Sequence, residues 1–185
     1  MMLTNLPNLL TLSRIAAIPV LVVLLYFNDP LMRWICLGVF SVAGATDYFD
    51  GYLARHRNEV SPMGRFLDPI ADKLLVVSVI VMLIAIQQVE GLVVIAALVI
   101  LCREIMVSGL REFLAEIKVP LPVSKLAKWK TAIQMIALGF LIVGQDAGPA
   151  ILPMEIIGDA GLWIAAVLTL VTGYDYLARG LEHMN

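Results

Sequence analysis

Six apolar runs, each close to the length that crosses a bilayer, constrain this chain more than any other feature. They fall at about 9–27, 31–54, 65–87, 91–111, 129–144 and 156–177. A spanning helix needs about 20 mostly apolar residues, and hydrocarbon offers no water to satisfy the backbone, so helices are the solution for runs of this length. Charged residues make up 15% of the 185 positions, against about 25% in an ordinary soluble domain. Turn chemistry separates the runs at Asn28-Asp29-Pro30, Ser61-Pro62-Met63-Gly64, Pro120-Leu121-Pro122 and Gly148-Pro149. Thr4 to Asn8, containing Pro7, reads as a short N-terminal interfacial segment entering the first run. The expectation is an all-α polytopic membrane protein with six transmembrane helices, a single membrane domain over residues 1–185 and no soluble domain.

The placement of charge sets the orientation. Arg55, Arg57 and Arg65 flank the loop between the second and third runs, and Lys118, Lys125, Lys128 and Lys130 crowd the one between the fourth and fifth. The loops around Gln87–Gly91 and Gln145–Gly158 hold no Lys or Arg. Short loops rich in these residues stay in the cytoplasm, so both termini are expected there, with Arg14 and Arg179 on that side and Arg33 alone opposed. A net charge of −2 gives no reason to expect nucleic acid as a partner. Cys36 and Cys102 sit in separate apolar runs without a CxxC or a metal-ligand spacing, so two reduced thiols in core or lipid are expected.

Against this oily background four aspartates stand out. Asp47 and Asp50 occupy the last cytoplasmic turns of the second run, and Asp68 and Asp72 the first turns of the third. At about 100° per residue the first pair lies about 60° apart on the helix wheel and the second about 40° apart, so each pair shares a face. An aspartate at a helix centre costs about 2.5–3.5 kcal/mol on insertion scales. Snorkelling at the interface is the plain alternative, but an Asp stem is short and packed like charges repel, so a bound cation accounts better for the arrangement. With no His or Cys near them the donors are all oxygen, which suits Mg²⁺ or Mn²⁺ (or Ca²⁺) over zinc. Four carboxylates have the capacity for two divalent ions sharing a bridging ligand, an arrangement that holds phosphate oxygens in displacement reactions.

A basic cluster lies elsewhere in the chain. Arg103 precedes Arg111 by eight residues, about 12 Å along a helix, which puts Arg103 well below the surface and implies a wet cavity. Lys125, Lys128 and Lys130 approach from the entrance of the next run. A topogenic loop explains the lysines but not a buried Arg103, unless Glu104 or Glu112 pairs with an arginine. Read together, the cluster is a phosphate pocket.

The full spacing of the acids is Asp47-x2-Asp50-Gly51-x2-Ala54-Arg55-x8-Gly64-x3-Asp68-x3-Asp72. It resembles the signature of the CDP-alcohol phosphotransferases, membrane enzymes that move a phosphatidyl or similar group from a CDP-linked donor to an alcohol, and all eight signature positions match. "PNLLTLSR" at Pro7–Arg14, "REIMVSGLRE" at Arg103–Glu112 and "KWKTAIQM" at Lys128–Met135 extend the resemblance to a bacterial branch that makes phosphatidylglycerophosphate. The family pattern has Gly where this chain has Ala127. The resemblance implies CDP-diacylglycerol as donor, glycerol 3-phosphate as acceptor, a homodimer, and a multi-pass protein of the bacterial cytoplasmic (inner) membrane whose active site faces the cytoplasm.

The resemblance also assigns roles. Asp47, Asp50, Asp68 and Asp72 hold the metal, Asp72 being in addition the base that takes the proton from the acceptor hydroxyl. Gly51 lets the nucleotide approach the backbone, where the residue alone would read as packing. Arg55 meets the donor diphosphate, for which a guanidinium fork is suited, although by position it also serves as a positive-inside anchor. Gly64 follows Ser61-Pro62, a helix start in which Ser61 is both cap and ligand contact. Asn8 and Thr11 match positions near the nucleotide, yet polar residues at an interfacial helix start need no ligand. Arg103, Arg111, Lys125, Lys128 and Lys130 take the acceptor's phosphate.

Serine or inositol phosphate as acceptor keeps the same chemistry, whereas an ion transporter would place acids near the mid-bilayer of several runs, which this chain does not. "YDYLARG" at Tyr174–Gly180 repeats part of the motif but carries one acid, Asp175, and reads as a span end with a snorkelling Arg179. Small residues around Ser41–Thr46 permit close helix approach, for bundle packing or for dimerisation.

Overall fold

The computed structural model describes residues 6–27, 29–57, 62–119 and 124–181, with the backbone alone described at 6, 7, 47–57, 62, 63, 65, 125, 179 and 181. Six helices account for nearly all of it: α1 Leu6–Phe27, α2 Pro30–Arg57, α3 Pro62–Ala85, α4 Val93–Glu116, α5 Lys125–Ala147 and α6 Met154–Leu181. Each coincides with one apolar run. Pro30 and Pro62 open their helices, where the missing N–H is an orphan in any case. Ser124 caps α5, its side chain accepting from the Ala127 N–H at 3.1 Å. The expected interfacial stretch does not stand apart in its described part, because Leu6–Asn8 form the first turn of α1 itself. α5 likewise starts before residue 129, at Lys125: the lysines that end the apolar run are good helix formers.

α1 packs against α2 and α3, α6 against α4 and α5, and α2 against α5 joins the two halves. A continuous aliphatic core runs through all six helices, including Leu21 and Leu25 of α1, Phe40 of α2, Leu75 and Leu83 of α3, Ile100 of α4, Leu138 and Leu141 of α5 and Leu162 of α6. Much of the opposite surface is apolar too: Val23, Val42, Val81, Ile105, Ile136 and Val167 are exposed. A protein that is apolar inside and out lives in lipid. Among the described residues four helices are long and apolar enough to cross a membrane, α1, α4, α5 and α6, while α2 offers a shorter apolar stretch at Pro30–Thr46. Gly44 of α2 serves packing within the bundle, for a Cβ there would stand 2.7 Å from Met135 Cε of α5.

Consecutive helices run antiparallel, which sorts the polar contacts to two ends. At one end Thr11 meets Asp68, Lys130 meets Glu104 and the Ser124 N–H meets the Tyr176 hydroxyl. At the other, Arg33 donates to Gln88 Oε1 (2.6 Å) and to the Val143 carbonyl (3.1 Å), and Gln88 donates to Glu155 (3.0 Å). The residue expected to be a lone basic exception is therefore a buried tie among α2, the α3–α4 turn, α5 and α6. The tie forms where α5 kinks at Gly144, with φ 65° and ψ 178°, the point at which the apolar run ends.

Candidate active site

The buried face of α1 is polar for its first two turns and aliphatic thereafter: Asn8, Thr11 and Arg14 are buried in line with Leu21 and Leu25. This positions a polar surface against the start of α3. There the Thr11 hydroxyl donates to Asp68 Oδ1 at 2.5 Å. Asp68 lies on the same helical stripe as buried Gly64, Ala71 and Leu75, and Asp72 one turn further in, both half-buried. Two of the four expected acids thus project from one helix, and Thr11, expected beside a nucleotide, is a hydrogen-bond partner of one of them. Arg14, expected to be a topogenic charge, is buried in that interface.

Asp47, Asp50, Gly51 and Arg55 lie in the last turns of α2 as expected, but their side chains fall outside the described residues, as does that of Lys125; Ser61 falls outside them altogether. Among the described residues, no three His, Cys, Asp or Glu side chains gather into a metal-binding group. The fit to a divalent cation rests on the donor chemistry of Asp68 and Asp72, two carboxylates one helical turn apart. A hydroxyl fixes one of them, and all their donors are the oxygens that hard cations take. The residues suit such an ion.

The basic cluster resolves into two groups. Arg103 is 7% exposed and Lys130 2%, and Glu104 joins them: it accepts from Lys130 Nζ, and its other oxygen lies 3.9 Å from Arg103 Nη1. Arg103 also donates to Thr172 Oγ1 at 3.0 Å and lies 5.5 Å from the Tyr176 ring centre. Gly173 makes room for it, since a Cβ there would stand 3.1 Å from Arg103 Cγ. The pairing that would explain a buried arginine structurally therefore exists, and it accounts for part of the guanidinium; Arg103 Nε keeps no partner. Arg111 and Lys128 are exposed, Arg111 near enough for its charge to act on Arg103. Asp72 acts in the same way on Lys130, which links the acidic and basic groups.

Between them lies a cavity of about 50 Å³ whose polar lining is Asp72 and Lys73 from α3, Glu104 from α4, and Thr131 and Gln134 from α5. Lys73 bonds Ser108 across to α4. Glu104, Gln134 and Ser108 were not expected at a site. The one sequence signal for them was period: Gln134 falls four residues after Lys130, on the same helix face.

An all-α fold with lipid-compatible surfaces and carboxylates beside buried cations at one end defines a class: a helical membrane protein with a polar, charged site at one end of its bundle. The model of the CDP-alcohol phosphatidyltransferase family matches residues 4–171, and the chain belongs to that family. A Rickettsia bellii (strain RML369-C) protein named CDP-diacylglycerol–glycerol-3-phosphate 3-phosphatidyltransferase is 53% identical over 172 residues, 93% of each chain. Proteins with the same name from Cereibacter sphaeroides and Pseudomonas fluorescens are 38% and 40% identical, with 97% of this chain covered in both cases and 97% and 92% of theirs.

Proposed function

We propose that this protein transfers the phosphatidyl group of CDP-diacylglycerol to glycerol 3-phosphate, giving phosphatidylglycerophosphate and CMP. Near-full-length similarity to relatives named for that reaction carries the reading. Buried Lys130 and Arg103, held by Glu104, with Asp72 and Glu104 lining one small cavity, are consistent with it.

In this reading the primary hydroxyl of glycerol 3-phosphate attacks the phosphorus of the phosphatidyl group, the bond to the CMP oxygen breaks, and Asp72 takes the hydroxyl proton. Asp72 acts late, as positive charge develops on the attacking oxygen. Asp47, Asp50, Asp68 and Asp72 would hold Mg²⁺ or Mn²⁺, two ions by capacity, supplying neutralisation of the diphosphate and of the charge developing at phosphorus. Thr11 fixes Asp68 for that task. Asn8, Gly51, Arg55, Ser61 and Gly64 line the donor's nucleotide and diphosphate. Arg103 and Lys130, with Arg111, Lys125 and Lys128 at the rim, hold the acceptor's phosphate, Glu104 keeping the two buried cations in place.

The same reading has all six helices crossing the bacterial cytoplasmic membrane as one domain, both termini and the site on the cytoplasmic side, and two copies forming a homodimer. CMP release by the purified protein in mixed micelles is the test. Release with CDP-diacylglycerol and glycerol 3-phosphate, abolished by chelation and restored by Mg²⁺ or Mn²⁺, is expected. Release with serine or inositol phosphate in its place would reassign the acceptor.

A further inference from the structure

We propose that Gln134 recognises the acceptor alcohol itself: its side-chain carbonyl accepts a hydrogen bond from the secondary hydroxyl of glycerol 3-phosphate, which selects a vicinal diol and brings the primary hydroxyl to Asp72. This rests on the proposed reaction and deepens it.

Gln134 is 2% exposed and sits one turn deeper than Lys130, about 6 Å along α5. Beyond it that face carries Ala137, Leu138 and Leu141, so it is the innermost polar group of the stripe. Its Oε1 is buried and has no hydrogen-bond partner among the described residues, and the side chain is part of the cavity lining. Buried polar atoms are rarely left so, and an orphan on a side chain that borders a cavity points to a missing partner.

The other groups around the cavity are committed. Lys73 is bonded to Ser108, Glu104 to Lys130, and the Thr131 hydroxyl donates to the Ala127 carbonyl at 3.1 Å. Asp72 and Glu104 give this space a negative lining beside the bonded Lys73, which disfavours an anion, and Gln134 Oε1 calls for a donor. Its volume, about 50 Å³, admits a hydroxyl-bearing carbon or a water or two, a water occupying about 30 Å³ in the liquid. A ligand with phosphate at one end must therefore enter hydroxyls first, leaving its phosphate toward the cations. Glycerol 3-phosphate has adjacent hydroxyls for two acceptors, Asp72 and Gln134.

The test compares glycerol 3-phosphate with 3-hydroxypropyl phosphate, which keeps the primary hydroxyl and the phosphate but lacks the secondary hydroxyl. CMP release is read as kcat/KM with the intact protein. A site that hydrogen-bonds a substrate hydroxyl rejects an analogue lacking it, and a preference of roughly 100-fold for glycerol 3-phosphate is expected here. In Gln134→Met, similar in length and without the carbonyl, the ratio should fall to within about threefold, through loss with the natural acceptor and not with the analogue. Equal use of the two acceptors by the unaltered protein overturns the proposal without reference to any variant, as does an unchanged ratio in Gln134→Met. Use of neither acceptor, with CMP released to another alcohol, overturns the underlying reaction instead.

Discussion

Thr11 shows how one hydroxyl can matter to a site made of carboxylates. Its bond to Asp68, at 2.5 Å across α1 and α3, orients one acid and removes one of its lone pairs from competition. Partners behind metal ligands commonly carry 10–100-fold in metal affinity. Thr11→Val, nearly isosteric, should therefore raise the Mg²⁺ or Mn²⁺ concentration for half-maximal CMP release by about 10-fold, with the saturated rate changing much less. An unchanged metal titration would reduce Thr11 to a packing residue. Asp72→Asn separates roles in another way. It keeps the shape and loses the proton acceptor, so turnover should fall by at least about 100-fold, while binding of the CDP-linked donor, measured by equilibrium dialysis, stays within a few-fold. Asp68, Asp72 and Arg103 stand out in the sequence because charge in an apolar run is costly, and Glu104 was open to being read there as an arginine partner. Gln134 had only its spacing from Lys130, because its significance lies in a cavity shared by three helices, which local pattern does not encode.

At the scale of elements, the apolar runs located all six helices, and the errors fell at their ends. α2 and α3 carry the four aspartates, at the end of one helix and the start of the next, so charge interrupts the apolar pattern where the site is proposed. α5 holds the other surprise. The apolar run stops at Gly144, yet the chain continues helically to Ala147 through a kink whose φ of 65° and ψ of 178° belong to a region used almost solely by glycine. Arg33 occupies the space where a side chain would be, and a Cβ there would collide with its Nη1 and come 2.6 Å from Gln88 Oε1. Gly144→Ala should cost about 1–3 kcal/mol from backbone strain alone, read as a melting point lower by several degrees in detergent. Because the kink lies at the end of the bundle remote from Asp72, KM for the acceptor should hardly move. A stable variant with an altered KM would instead tie the kink to the site.

For the whole molecule, the distribution of charge makes a directional claim. Among the described residues Arg33 is the one Lys or Arg side chain at the end of the bundle that carries Glu90, Asp146 and Glu155, and there it is consumed internally by Gln88 and Val143. It contributes no free positive charge to a loop, so the bias that orients the chain is stronger than a count of residues suggests. Asp68, Asp72, the buried cations and the Gln134 cavity all lie at the other end, where the proposed water-soluble acceptor and CMP would come and go. If six spans cross the membrane with that end inside, single cysteines at Glu90 and at Ile151, which is 93% exposed, should react with a membrane-impermeant maleimide in intact cells. A cysteine at exposed Lys118 should react only after permeabilisation. Cys36 is buried and Cys102 exposed, so Cys102→Ser is needed as the background. Reversed labelling would put the site on the outer face, away from a cytoplasmic acceptor, whereas Glu90 and Lys118 labelling from the same side would mean that α4 does not cross.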